Sequence, residues 1–199
     1  MEFKKLKIAI LSTDTLHHRY FINSLNKSKI KIEKYIFETT SVKPKFKEKS
    51  FLSKEENKFE KNNFFKVIAK KIDKKRLIKL KNINSNKSFK ILQALKIDLG
   101  IVFGCRKINQ NIIKQFKVGL MNIHRGVINK YRGLDSDLWA ILNKDFKNIG
   151  VCVHFIDRDL DTGPIINQKK INIKKNNKIF HMRYLTTILA TKMIINLFK

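Results

Sequence analysis

Apolar and polar residues alternate along the chain with two periods, one typical of strands and one typical of helices. Residues 8–11, 97–103 and 151–156 are almost continuously apolar, the pattern of a strand that is covered on both faces of a sheet. Residues 30–37 alternate between apolar and polar side chains, and residues 16–26 carry apolar side chains at helical spacing. The order strand, helix, strand at the start of the chain therefore predicts a βαβ unit.

Later segments extend this unit into a larger domain. We expect an outer strand in 164–173, a helix around 138–142 that places Trp139 in the core, and a closing helix in 176–199. Together the elements predict an α/β fold that is Rossmann-like, with a mostly parallel sheet and helices on both of its faces. The chain contains no G-x-G-x-x-G sequence, so nothing indicates dinucleotide binding.

The segment 41–90 differs from the rest of the chain in composition. It is rich in Lys, Asn and Ser and carries 17 basic and 5 acidic side chains, a net charge of +12. Apolar residues at helical spacing in 64–68 and 72–80 predict one or two amphipathic helices. We interpret residues 1–199 as a single domain with a basic helical insertion around 41–90. A solvated lysine face is favoured there over a basic cap on a phosphorylated acceptor.

The formal charge of +28 suggests a nucleic-acid surface, but composition offers a simpler explanation. Lys, Asn, Ile and Phe are abundant and have A/T-rich codons, whereas Arg, Gly, Ala and Pro are scarce and have G/C-rich codons. Drift of a genome towards A+T produces this composition without selection for a basic patch. We therefore expect no nucleic-acid partner, and a salt-dependent anion-binding surface in 41–90 is the competing interpretation.

Targeting and metal signals are weak in this sequence. No window reaches the roughly 18 apolar residues that a membrane span needs, and the first residues lack a small-residue cleavage site, so we expect no membrane association and a cytoplasmic protein. Cys105 and Cys152 have no metal-ligand spacing, and we expect no metal. Cys105 is interpreted as a packed small side chain rather than a nucleophile.

Three polar side chains follow apolar strands in a pattern that fits acyl transfer. Asn122 and His124 are two residues apart at the end of the apolar segment 120–124, so in a strand both side chains point to the same side. Asp161 follows the strand 151–156 and precedes the turn formers of 163–164. The amide can donate to a developing oxyanion, the imidazole can donate or shuttle a proton, and the carboxylate can orient the imidazole.

The sequence around these residues resembles the folate-dependent formyltransferase family. The resemblance is carried by N-I-H, then Y-R-G, then D-T-G-P in this order, and it is strong over 98–173, loose over 7–25 and almost absent over 41–90. It implies Asn122, His124 and Asp161 as the catalytic residues and 10-formyltetrahydrofolate as the formyl donor. The H-x-G form, with Gly126 after His124, looks more like the sugar-modifying branch than like the purine and transfer-RNA branches.

The resemblance also implies where the two substrates bind. Residues 103–108 and 156–157 correspond to the walls of the pterin pocket, which predicts folate contacts from Phe103, Gly104, Cys105, Arg106, Lys107, Ile108, Ile156 and Asp157. The acceptor is expected near Ser12, Thr13 and Arg132. His17 and His18 diverge by about 100° on a helix, so they are poorly placed to share one ion, and we expect a solvated or structural role for the pair.

The favoured function is formyl transfer to a primary amine of a small acceptor, with a nucleotide-linked amino sugar as the first candidate. Glycinamide ribonucleotide and methionyl-tRNA are the competing acceptors, although the glycine-bearing phosphate loop and the G-T-P-type opening of those branches are absent. Two further functions compete with formyl transfer: a hydrolase that releases formate from formyl-folate, and a non-catalytic basic binding module. The sequence leaves the oligomeric state open, with a homodimer as one form.

Overall fold

The computed structural model describes residues 5–40, 52–68 and 72–199. Its seven strands are β1 (Ile8–Ser12), β2 (Ile32–Glu38), β3 (Leu77–Leu80), β4 (Leu99–Phe103), β5 (Gly119–His124), β6 (Gly150–Phe155) and β7 (Ile165–Lys170). Its six α-helices are α1 (Leu16–Lys27), α2 (Leu52–Ile68), α3 (Asn86–Leu95), α4 (Gln110–Ile113), α5 (Ser136–Leu142) and α6 (Met182–Leu197). Short 3-10 helices lie over Lys74–Arg76, Phe146–Asn148 and Ile179–His181.

The strands form one sheet in the order β3-β2-β1-β4-β5-β6-β7. All described strand pairs are parallel except those made by β6, which runs antiparallel to both β5 and β7. The prediction of an α/β fold with a mostly parallel sheet is confirmed. The central strands are apolar because helices cover both faces and leave no water-facing side.

Each face of the sheet has its own core. Ile8 and Ile10 of β1 point to the face covered by α1 and α6, while Ala9 and Leu11 point to the face covered by α3 and α4. Alternation of side chains along a strand produces this division. All four side chains are at most 3% exposed, so β1 lies at the centre of the domain.

Arg183 of α6 links the helix α2 to the rest of the domain. Arg183 forms ion pairs with Glu60 at 2.7 Å and Glu56 at 2.8 Å and donates to Asn57 Oδ1 at 2.8 Å. Phe64 of the same helix is fully buried. The helix therefore packs on α1 and α6 through one face rather than standing away from the fold.

The structure corrects two expectations within these elements. Residues 72–80, expected to be helical, contain a 3-10 turn and the edge strand β3. Trp139 was expected in the core, but its side chain is 54% exposed on α5. Within 41–90 the described residues contain α2, β3 and the start of α3, and residues 41–51 and 69–71 of that segment lie outside the described residues.

Candidate active site

A cleft of about 240 Å³ opens at the carboxyl ends of β4 and β5. This edge of an open α/β sheet is where ligands usually bind. Among its lining residues are all three predicted catalytic side chains and all eight predicted folate contacts. The two groups of predicted residues are therefore brought together in a single cavity.

The side chains of Asn122 and His124 both contact the carboxylate of Asp161. Asn122 Nδ2 donates to Asp161 Oδ1 at 3.3 Å, and His124 Nδ1 lies 3.2 Å from Asp161 Oδ2. The backbone N–H of Gly133 donates to Oδ2 at 2.8 Å. The loop that carries Asp161 is held close to β6 at Gly163, where a Cβ would lie 1.9 Å from the carbonyl oxygen of Phe155.

A fourth polar side chain, His154, belongs to the same cluster and was not predicted. Its Nε2 lies 3.1 Å from Asn122 Nδ2 and 3.4 Å from Asp161 Oδ1. Its Nδ1 lies 2.8 Å from the carbonyl oxygen of Phe155, which can only accept, so Nδ1 carries a proton. In the neutral ring Nε2 accepts from the Asn122 amide, and in the protonated ring Nε2 donates to Asp161 Oδ1 instead. No sequence pattern indicates this contact, because it depends on the antiparallel register that pairs Asn122 with His154.

The electrostatics of the cluster favour an ionised carboxylate beside a neutral imidazole. Burial alone would raise the pKa of Asp161, but the hydrogen bond with His154, the nearby His124 and the Gly133 N–H together lower it below 3.8. Burial lowers the pKa of His124 below 6.5, and the charge of Asp161 offsets part of this effect. At neutral pH Asp161 is therefore ionised and His124 is neutral, so the imidazole can accept a proton.

The ring of His124 faces an acceptor at each nitrogen. Nδ1 faces Asp161, and Nε2 lies 2.9 Å from the carbonyl oxygen of Tyr131. A neutral imidazole has one N–H and satisfies one of these acceptors, whereas a protonated ring satisfies both. The arrangement can thus take up a proton in the cleft and hold it until it is passed on.

Gly126 lies directly against the His124 ring. A Cβ at this position would lie 2.5 Å from His124 Nε2 and 2.7 Å from the Cβ of Ser136. Glycine is therefore required here for space, since the residue has no unusual φ in the structure.

We expect Gly126→Ala to reduce the turnover number of this site by about 10²-fold, because the ring must move by several tenths of an ångström or more from its place beside Asp161. Steady-state kinetics with folate affinity measured in parallel would test this. Gly133→Ala is a useful comparison, since its Cβ would meet Leu160 Cδ2 at an ordinary 3.7 Å but strain a φ of +84°. An alanine at 126 that left turnover unchanged would contradict the requirement for space.

A buried ion pair supports the predicted folate wall. Arg106 Nε lies 2.5 Å from Glu38 Oε1, and Arg106 Nη2 donates to the carbonyl oxygen of Thr40 at 2.8 Å. The Glu38 side chain is 3% exposed and also accepts from the backbone N–H of Ile83 at 3.0 Å. This pair fixes the segment 104–108 against β2 and β3. Burial and the neighbouring Glu38 raise the pKa of Cys105 far above its usual range, so its thiol is poorly suited to act as a nucleophile.

Removing one partner of this pair should destabilise the protein strongly. Arg106→Met is expected to lower the free energy of unfolding by roughly 3–5 kcal/mol, because it leaves the Glu38 carboxylate buried and unpaired. The double variant Glu38→Gln with Arg106→Met should recover part of the loss. Urea denaturation of both variants checks this, and equal losses in the single and double variants would argue against a buried-charge effect.

The predicted acceptor contacts do not line this cavity. The Ser12 hydroxyl is buried and donates to the carbonyl oxygen of Phe103 at 2.7 Å, and Thr13 Oγ1 lies 2.9 Å from His18 Nδ1. Arg132 is exposed, with its Nε donating to the Ile128 carbonyl oxygen at 3.3 Å. His17 and His18 take this place in the cleft wall instead. A solvated role for the pair is wrong, since the two residues are 8% and 4% exposed.

Neither a membrane-spanning helix nor a metal cluster is found in the part of the chain that the structure describes. Within the described ranges, no helix combines the length and apolarity that crossing a bilayer requires. The same residues include no group of three or more His, Cys, Asp or Glu side chains arranged to hold a metal ion.

Comparison with known proteins identifies relatives of this chain. The model of the family described as formyl transferase matches residues 6–195. A methionyl-tRNA formyltransferase of Finegoldia magna is 32% identical over 129 residues, which are 61% of this chain and 40% of that protein. A bifunctional polymyxin resistance protein of Wigglesworthia glossinidia brevipalpis is 34% identical over 117 residues, which are 57% of this chain and 18% of that protein. The matches thus cover less than half the length of each of these relatives.

Solved structures share the fold at low sequence identity. A phosphoribosylglycinamide formyltransferase from Streptococcus pneumoniae superposes with a TM-score of 0.66 at 13% identity, covering 96% of each chain. A sugar N-formyltransferase from a Shewanella species superposes with a TM-score of 0.65 at 16% identity, covering 96% of this chain and 67% of the other. At these identities the likeness concerns the fold.

Proposed function

Because the chain belongs to the formyl transferase family, we propose that it transfers a formyl group from 10-formyltetrahydrofolate to a primary amine of a small acceptor. The observation that carries this proposal is the convergence of Asn122, His124 and Asp161 within 3.3 Å at the floor of the cleft. Amine attack on a formyl carbon needs a donor to the oxyanion, a group that transfers a proton and a group that orients it. An amide, an imidazole and a carboxylate in this arrangement can fill these three roles.

The residues of the cleft fit a folate. Residues 105–109 have no regular secondary structure and lie outside the sheet. Asn84 binds the Lys107 carbonyl oxygen and the Asn109 N–H, and the peptide groups of residues 105 and 106 can pair with the hydrogen-bonding edges of a flat ring. Gly104, with a φ of +78°, lies where a Cβ would be 2.3 Å from the His18 ring, so the backbone packs directly against that ring in the cleft wall. When bound, the folate supplies the formyl carbon as the electrophile.

The side chains would then act in sequence. The attacking amine forms its bond to the formyl carbon and gives a proton to His124 Nε2, while the Nδ1–H of the same ring stays on Asp161. As negative charge develops on the formyl oxygen, Asn122 Nδ2 turns from Asp161 towards that oxygen, and His124 donates to it through Nε2 while its Nδ1–H stays on Asp161. The bond from the formyl carbon to the folate nitrogen then breaks, and that nitrogen takes the proton from His124 as tetrahydrofolate leaves. Asp161 stabilises the protonated ring, and His154 holds Asp161 and Asn122 in place.

We propose a nucleotide-linked amino sugar as the acceptor. Support comes from the H-x-G sequence, which resembles that of the sugar-modifying branch and in which Gly126 packs directly against the His124 ring. Acyl transfer to such an amine requires no residue beyond those already in the cleft.

Incubation of the protein with 10-formyltetrahydrofolate, with and without candidate amines, tests the function. Formation of tetrahydrofolate only when a nucleotide-linked amino sugar is present supports the proposal in full. Formate release at the same rate without any amine would replace it with a hydrolase, and turnover with another amine would keep the transfer but change the acceptor. The absence of turnover with every amine and with water would leave a binding module.

A further inference from the structure

Arg125 follows His124 at the end of β5 and lies in the wall of the cleft. Its side chain is 24% exposed, and its Nη1 is enclosed without a hydrogen-bond acceptor in the described part of the chain. Asp137, whose side chain is 2% exposed, forms an ion pair with Arg125 at 3.9 Å between Oδ1 and Nη2, a distance too long for a hydrogen bond. An enclosed guanidinium donor without an acceptor is costly, and the natural partner of a guanidinium is an anion.

The charged groups of the helices packed against this corner are already paired. Arg183 of α6 holds Glu56 and Glu60 of α2 at 2.8 Å and 2.7 Å. His17 of α1 lies 3.6 Å from Glu60, and burial together with the charges of Arg125 and Arg183 holds its pKa well below 6.5. Glu56 and Glu60 therefore have a partner other than Arg125, which leaves Asp137 as its carboxylate partner among the described residues. His17 adds no competing positive charge at neutral pH.

The neighbouring imidazole of His18 is also neutral and oriented. Its Nδ1 lies 2.9 Å from the Thr13 hydroxyl and 3.2 Å from the Thr13 carbonyl oxygen, so Nδ1 carries the proton. Burial and the adjacent His17 hold its pKa well below 6.5. Both rings line the same cleft as Arg125 and can report on what binds there.

We propose that the corner of the cleft formed by Arg125, His17 and His18 binds an anionic group of the acceptor, a phosphoryl group or a carboxylate. The proposal rests on the function proposed above, because it assigns to the acceptor the group that this corner holds. Arg125 is one residue from His124, so an acceptor anchored here remains beside the reacting side chains. A planar guanidinium can hold either anion through two parallel hydrogen bonds.

Nuclear magnetic resonance of the histidine side chains tests this without any turnover. The chain has five histidines, and the Cε1–H signals of His17 and His18 can be assigned with the variants His17→Gln and His18→Gln. Inorganic phosphate and acetate are titrated separately at constant ionic strength, so that binding to surface lysines is screened. We expect saturable shifts of both signals, with the tighter of the two anions identifying the group.

Matched variants locate the effect. Arg125→Gln should weaken the titration about tenfold or more, and Arg125→Lys, which keeps the charge but loses the paired donors, should give an intermediate value. Arg19→Gln removes the same charge from α1, where Arg19 pairs with Asp14 outside the cleft, and should titrate like the wild type. Signals that do not move in the wild type, or that move equally in Arg125→Gln, would overturn the proposal.

The result separates this subsite from the function it serves. Phosphate or acetate binding at Arg125 without formyl transfer to any amine would retain the subsite and remove the transferase. Formyl transfer without anion binding at Arg125 would retain the transferase and remove the subsite.

Discussion

Replacement of His124 by alanine is expected to lower the turnover number of formyl transfer by roughly 10³–10⁴-fold. The variant loses an N–H donor for the developing oxyanion and the group that takes the proton from the attacking amine. It also leaves the Gly133 N–H and the Asn122 amide on Asp161, so the carboxylate keeps two of its partners. Single-turnover kinetics would isolate the chemical step.

Folate affinity provides the second readout for His124→Ala. The predicted folate wall lies on other segments, so the dissociation constant for the folate should change little. His181→Ala serves as the matched control, because His181 lies at the start of α6 and packs against Phe59 and Phe180 rather than in the cleft. Near-normal turnover in His124→Ala with folate binding intact would remove this residue from the mechanism.

Asp161→Asn is expected to reduce turnover by about 10³-fold, because it removes the charge that orients and stabilises a protonated His124. The backbone should tolerate this change. Asp161 has a φ of +53°, a conformation in which Asn is also common, so the loss would be chemical rather than conformational. The amide oxygen can still accept from Gly133 N–H, which preserves the loop.

Turnover of the wild type and of Asp161→Asn is measured as a function of pH across the neutral range. Protonation of Asp161 should not limit the wild-type rate there. The wild type keeps an ionised Asp161 throughout the neutral range, since the pKa of that carboxyl is lowered. Asp73→Asn, at a 3-10 turn beside the far edge strand β3, is the matched control and should keep wild-type turnover. If Asp161→Asn retained more than a tenth of the wild-type rate, His124 would have to be oriented by another group.

The fold was predictable wherever both faces of a strand are covered. A continuous apolar segment such as 8–11 is stable only as a strand buried on both faces of the sheet. The edge strand β3 was not predicted, since Leu77, Ile78 and Leu80 have a spacing that also fits one face of a helix. Trp139 was placed wrongly for a related reason. Helical periodicity identifies α5 but not the direction in which the largest residue of a short helix points.

The site was predictable as far as it depends on local geometry. The spacing of Asn122 and His124 predicted that both side chains lie on one side of a strand. The resemblance carried by D-T-G-P predicted Asp161 as the third catalytic residue. His154 depends on a strand pairing that reverses direction, and the burial of His17 depends on α2, which carries Glu60 from a distant part of the chain. No local pattern contains either fact.

The reversal of β6 also limits how the gene can change length. Side chains alternate along a strand, so deletion of one codon before His154 in β6 would put at its position a residue that now points to the opposite face of the sheet. The deletion would also shift the loop that carries Asp161. In-frame length changes should therefore be concentrated in segments outside this hairpin. A library of single-codon deletions, sorted for transfer, would show a gap centred on β6.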